Sequence, residues 1–256
     1  MRAKLKKSSM GRAAVALVGV LALTGGATLL VGNTASAARS TAGKVAYVKG
    51  TAKRSADGKS WKSLNQGTSF YQGDRLKTDS GTRIEAKLND GSTLRLGANS
   101  EVRLDKLSFN KKKKKRKVRA KLFVGRVWAK VSGWFGDDED NFEVTTANAV
   151  AGVRGTAFST SMDAAGTTQV KVYEGKVLIS NKPIYAVKGH TKAKRVEVAG
   201  PQEVSLDKWE ELVAGAMQMV QVASNGQMSQ QDFELASAED DDWEAWNAER
   251  DKVAAK

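Results

Sequence analysis

Apolar and polar residues alternate with a period of two along most of this chain. Ile84, Ala86 and Leu88 interleave with Arg83, Glu85 and Lys87, the pattern of a strand with one buried face. Leu94 and Leu96 repeat it after Asn89-Asp90-Gly91, where Asp-Gly favours a tight turn with positive φ. The rhythm returns at Val102/Leu104, Val127/Ala129/Val131, Phe142/Val144, Val170/Val172 and Val177/Ile179. Many short strands broken by glycine at intervals of roughly 8–15 residues predict an all-β domain from Gly43 to about Ser205. The 2 prolines, Pro183 and Pro201, fall late, at predicted loop positions where a missing N–H harms a ladder least.

After the β region the spacing changes. Leu206, Trp209, Val213, Met217 and Val220 lie at helical intervals behind Ser205, a suitable N-cap, which predicts a capping helix over 206–222. Residues 223–238 are polar and small and read as a linker. Residues 239–256 read as an acidic C-terminal helix or tail. Its acids come first and Arg250, Lys252 and Lys256 come last, matching the helix dipole, and Trp243, Trp246 and Val253 form a narrow apolar stripe.

The other end has a different character. Arg2, Lys4, Lys6, Lys7 and Arg12 precede an apolar stretch, Ala13–Val31, and Ala35-Ser36-Ala37 has the small-residue form of a cleavage site. Residues 1–37 therefore read as a signal peptide, with a periplasmic or secreted product and no stable membrane span after cleavage. The competing reading is an anchor that is kept, since the stretch approaches the roughly 20 residues that cross a bilayer.

Charge and composition narrow the chemistry. The net charge is +14, and it is uneven: residues 38–230 carry +15 while 231–256 carry −6. A body this basic attracts anionic partners, less so as salt rises. With 0 cysteines and 1 histidine, His190, the chain has little material for disulfides, Cys–His pairs, zinc sites or Ser–His–Asp triads. Asp137–Asp140 lack the rhythm of a calcium loop and read as a solvated acidic turn. The expectation is no catalytic residue, no metal and no cofactor.

Seven words stand in order along the β region. They are Gly43–Gly50, Phe70–Thr78, Leu88–Leu96, Phe142–Thr146, Val153–Phe158, Val170–Val177 and Val196–Gly200. Together they closely resemble the FecR domain family over residues 43–205. The resemblance implies a twisted, solenoid-like β-roll of short strands in the periplasm, with a β-sandwich as the other reading of the same periodicity. Within the words, Gly73-Asp74 and Glu174-Gly175 sit between strands, where glycine supplies permissive dihedrals and a carboxylate accepts backbone N–H groups. Arg154-Gly155-Thr156 reads either as an anion contact or as a braced turn in which Arg154 meets carbonyls or Asp74. The family's best-known members are anti-sigma regulators with a cytoplasmic segment ahead of a membrane span. Only a dozen residues precede the apolar stretch here, so the first expectation is a stand-alone envelope binding or scaffold module. A membrane-anchored component of FecR-type signalling is the alternative.

One local feature stands apart. Lys111, Lys112, Lys113, Lys114, Lys115, Arg116 and Lys117 are consecutive, with Arg119 and Lys121 following. Self-repulsion favours an extended or disordered hairpin tip between strands near Leu104 and Leu122. Such a run attracts polyanions: an anionic polysaccharide, lipopolysaccharide or teichoic acid, and more weakly nucleic acid, because no aromatics are interleaved for base stacking. An envelope protein is the other partner expected.

Overall fold

The computed structural model describes residues 40–110, 112, 115–132, 141–153, 155–181, 185–186, 196–197, 211–235 and 242–253. The predicted signal peptide and Pro183, His190 and Pro201 lie outside the described residues. No helix among the described residues is long and apolar enough to cross a membrane.

The protein is all-β, with one helix among the described residues. Its strands are β1 (Thr41–Lys49), β2 (Ala52–Ser55), β3 (Lys62–Ser63), β4 (Ser69–Tyr71), β5 (Arg75–Thr78), β6 (Arg83–Leu88), β7 (Thr93–Leu96), β8 (Glu101–Asn110), β9 (Lys115–Lys130) and β10 (Asn141–Thr145). They continue as β11 (Ala149–Val153), β12 (Ala157–Met162), β13 (Thr168–Glu174), β14 (Val177–Asn181), β15 (Tyr185–Ala186), β16 (Val196–Glu197), β17 (Glu211–Ala214), β18 (Gln218–Val222) and β19 (Met228–Asp232), before α1 (Asp242–Val253). Strands β15 and β16 form a separate ribbon. The rest make two open layers. One, sheet A, runs β4-β1-β6-β7-β9-β12-β13-β18-β19. The other, sheet B, runs β3-β2-β5-β8-β9-β10-β11-β14-β17.

The long strand β9 belongs to both layers. Its first part pairs with β8 and, in parallel, with β10, while Gly125–Lys130 pairs with β12 and Val127–Lys130 with β7. The passage occurs at Gly125, whose φ is +90° and whose missing Cβ would stand 2.3 Å from Ser100 Oγ. Only glycine takes that dihedral and that approach together. The alternating apolar sets of the sequence then meet in one core. Ile84, Leu94, Val127, Phe158 and Val170 come from sheet A, and Leu76, Val102, Leu122, Phe142 and Ile179 from sheet B.

Two expectations at the C-terminal side fail. The capping helix over 206–222 is contradicted from residue 211 onward by β17 and β18. Helical spacing was present, but the β-branched Val213, Val220 and Val222 suit the edges offered by β14 and β13, and Gly215 and Met217, with φ +62°, turn the chain between them. Residues 223–238 do not form a plain linker either, because Met228–Asp232 adds β19 to β18. In both places the open edge of a sheet outweighs local spacing.

The outer side of sheet A is covered in part by α1. Its acids Asp242 and Glu244 stand in the first turn and Arg250 and Lys252 in the last. Trp243, Glu244, Asn247 and Asp251 are buried against the strands. Arg95, only 1% exposed, donates from Nε to Glu85 at 2.7 Å and lies 2.8 Å from Asp251 Oδ1 through Nη1. Trp128 Nε1 donates to Asp251 Oδ2 at 3.0 Å, Lys171 Nζ to Glu244 at 3.1 Å and Arg250 Nε to Glu85 at 2.9 Å. Rings surround these charges: Trp243 stacks on Trp246, and Tyr47 lies against Trp246 at 5.8 Å.

Candidate basic face

The basic run divides by strand parity. It opens the long β8–β9 hairpin, in which Asn110 pairs with Lys115 and Arg103 with Lys121. In β9, Arg116, Val118, Ala120 and Leu122 point inward, whereas Lys117 and Arg119 are exposed on the other side. Arg116 is therefore not a polyanion contact, contrary to the sequence expectation. It is 1% exposed, and its Nη1 donates to Asp90 Oδ2 at 3.0 Å, Ser92 Oγ at 3.2 Å and the Ser132 carbonyl at 3.1 Å. Asp90 in turn accepts the Ser92 N–H and hydroxyl, so an inward arginine locks the β6–β7 turn. Lys112 is exposed at the hairpin turn and Lys115 is half-buried; Lys111, Lys113 and Lys114 lie outside the described residues.

Pairing across sheet B assembles a wider face than the run alone. Ladder positions place Lys53 beside Lys77, Arg75 beside Arg103, and Arg103 beside Lys121. Phe123 sits among three of these cations, with Arg75 at 4.9 Å, Arg103 at 5.6 Å and Lys121 Nζ at 5.2 Å from its ring. Carboxylates occupy part of the charge. Arg75 meets Glu101 at 3.1 Å, Arg103 pairs with Asp105, Arg119 meets Glu143 at 2.5 Å, and Lys53 meets Asp79 at 3.4 Å. Hydrogen bonds to those carboxylates raise the pKa of Arg103 and of Arg119, keeping both charged. Lys77, Lys117 and Lys121 form no ion pair among the described residues, so the face keeps a net positive charge. Beside Lys117 and Arg119 a groove of about 330 Å³ is bordered by Lys106 and Asn141. The sequence showed Lys117, Arg119 and Lys121 as members of one cationic stretch. It did not show Arg75, Lys77, Arg103 or Phe123 joining them, because register decides that.

The family-word residues hold turns. Gly73, with φ +89°, donates to the Leu104 carbonyl at 2.7 Å. Asp74 is fully buried; its carboxylate accepts the Tyr71 N–H at 2.9 Å and lies 3.5 Å from Arg54 Nη1. Among the described residues Arg54 is the arginine near this carboxylate; Arg154 lies outside them. Gly155 and Gly175 both have positive φ, and a Cβ on Gly175 would stand 2.5 Å from Thr156 Cγ2. Thr156 accepts the Val131 N–H at 2.8 Å through its carbonyl, and Glu174 is exposed at the end of β13. Gly155, Thr156, Glu174 and Gly175 stand together at the open end of the β12–β13 hairpin. Asp137–Asp140 lie outside the described residues, and among the described ones no group of three or more His, Asp or Glu side chains is placed to hold a metal ion.

Residues 74–178 match the family described as FecR protein, a span from the turn before β5 into β14. Two crystal structures of a proposed anti-sigma factor from Parabacteroides distasonis share 18% and 17% identity with the chain, with TM-scores of 0.42 and 0.41. Each likeness covers 62% of this chain and 59% of the other, so the chain spans about three fifths of those proteins. No curated protein matches it.

Proposed function

We propose, from the premise that residues 74–178 are a FecR domain, that this chain is a component of FecR-type signalling across a cell envelope. The family match is the observation that carries the reading, and it favours the signalling alternative over a free-standing scaffold. In this role the two-layered β body lies outside the cytoplasmic membrane, tethered by residues 1–37, and modulates a separate transmembrane regulator by binding, not by catalysis. The basic N-terminal residues followed by Ala13–Val31 support the tether. The test is the N-terminus of the protein in its cells. The anchored reading expects the β body in the membrane fraction with residues 1–37 attached. A soluble chain that begins at Ala38 contradicts it.

A second, compatible activity has its own observation. The outer face of sheet B carries Lys77, Lys117 and Lys121, and the Lys121 Nζ lies 5.2 Å from the Phe123 ring. Lysines without carboxylate partners among the described residues attract an anionic polymer, and the ring offers a sugar an apolar platform. An anionic polysaccharide is the partner this face fits, and the external input that the signalling role requires is of that class.

A further inference from the structure

Helix α1 is held in an unusual way for a helix that covers a sheet. Among its described side chains, those buried besides Trp243 are polar: Glu244, Asn247 and Asp251. These groups meet Arg95, Trp128 and Lys171 on three different strands. A buried ion pair returns little net stability, because desolvation offsets the attraction, yet it tolerates only one geometry. The helix is therefore attached by recognition more than by apolar burial.

The cover and the covered surface also come from different parts of the chain. Glu85, Arg95, Trp128 and Lys171 all lie within the FecR span of 74–178, and α1 lies beyond it. Their charges are complementary. Arg83 pairs with Asp242, Arg95 with Asp251 and Lys171 with Glu244, while Arg126 stands 5.9 Å from the Trp243 ring centroid. Trp246 is wedged among Arg83, Arg95 and Arg250, with distances of 5.1–5.7 Å to its ring. We infer that the outer face of sheet A is a docking surface for an acidic, tryptophan-bearing helix of a partner protein, and that α1 occupies it until such a partner arrives. This surface is separate from the basic face of sheet B.

Covalent attachment gives α1 a large advantage, since a tethered segment acts at an effective concentration of about millimolar. A free helix of the same chemistry binds well only when the tethered one is weakened. The experiment uses the full chain and a fluorescent peptide with the sequence of residues 242–256. Asn247→Ala with Asp251→Ala in the chain loosens α1 without touching the sheet. The peptide is expected to bind this variant about tenfold or more tighter than the unaltered chain, by fluorescence anisotropy. A peptide carrying Asp251→Arg and Trp246→Ala should lose that binding, a comparison that requires no further change in the protein. Far-UV circular dichroism verifies that the loosened chain keeps its strands. Absence of saturable binding to the loosened, folded chain overturns the inference, and so does equal binding of the altered peptide.

Discussion

Asp90 and Arg116 face each other inside the protein at 3.0 Å, both buried, and the pair joins a turn glycine motif to the tip of the basic hairpin. Removing one member leaves the other charged and out of water. Asp90→Ala should therefore destabilise the fold by roughly 3–5 kcal/mol. Chemical denaturation measures it, and a loss below about 1 kcal/mol would mean that the pair is not buried as described. The sequence made half of this legible. Asn89-Asp90-Gly91 was a turn from its residue types, but Arg116 looked like one cation among seven. Period two separates it from Lys115 and Lys117, and only the partner strand determines which parity faces inward. The same holds for Asp74: an acceptor of backbone N–H was readable, while the neighbour Arg54 depends on how β2 pairs with β5.

At the scale of elements, α1 depends on protonation. Burial by itself raises the Glu85 pKa, but hydrogen bonds from Arg250 and Arg95, with the charges of Arg95 and Lys87, outweigh it and bring the pKa from 4.5 down to about 2. A carboxylate depressed on folding contributes stability above its unfolded pKa and loses it as pH falls toward the folded value. Docking of α1 should thus be flat from about pH 7 to about pH 5 and weaken as pH falls from about 4.5 to about 2. Emission of Trp128, Trp243 and Trp246 reports it. A release transition centred near neutral pH would contradict this assignment. Elements were legible where one face is apolar and the other polar, as in β6, β7 and β8. They were not legible where an existing edge recruits a strand, as β14 and β13 recruit β17 and β18. The helix itself could be read from its charge gradient, but its polar underside could not, because nothing near Asn247 and Asp251 in the sequence tells that Arg95 lies beneath them.

The whole molecule separates two working faces by one core. Sheet A carries an acidic helix on its outside, and sheet B presents cations. Attraction of the basic face to an acidic polysaccharide should fall roughly tenfold or more between about 0.05 and about 0.5 M salt as the screening length shortens. Lys77→Glu, Lys117→Glu and Lys121→Glu together should weaken it further at low salt, and a neutral polysaccharide should not bind. Isothermal titration distinguishes these cases, and affinity independent of salt and of the three lysines would remove the basic face from the account. Composition already pointed to an anionic partner, since the body is strongly basic; strand register shows which cations share one face. For the signalling role, the direct measurement is transcription in cells whose own gene is replaced by the triple-glutamate variant. The account predicts that a defined set of transcripts loses its response to the envelope stimulus while the protein persists at its normal level. An unchanged transcriptome, with the variant folded and abundant, would contradict it.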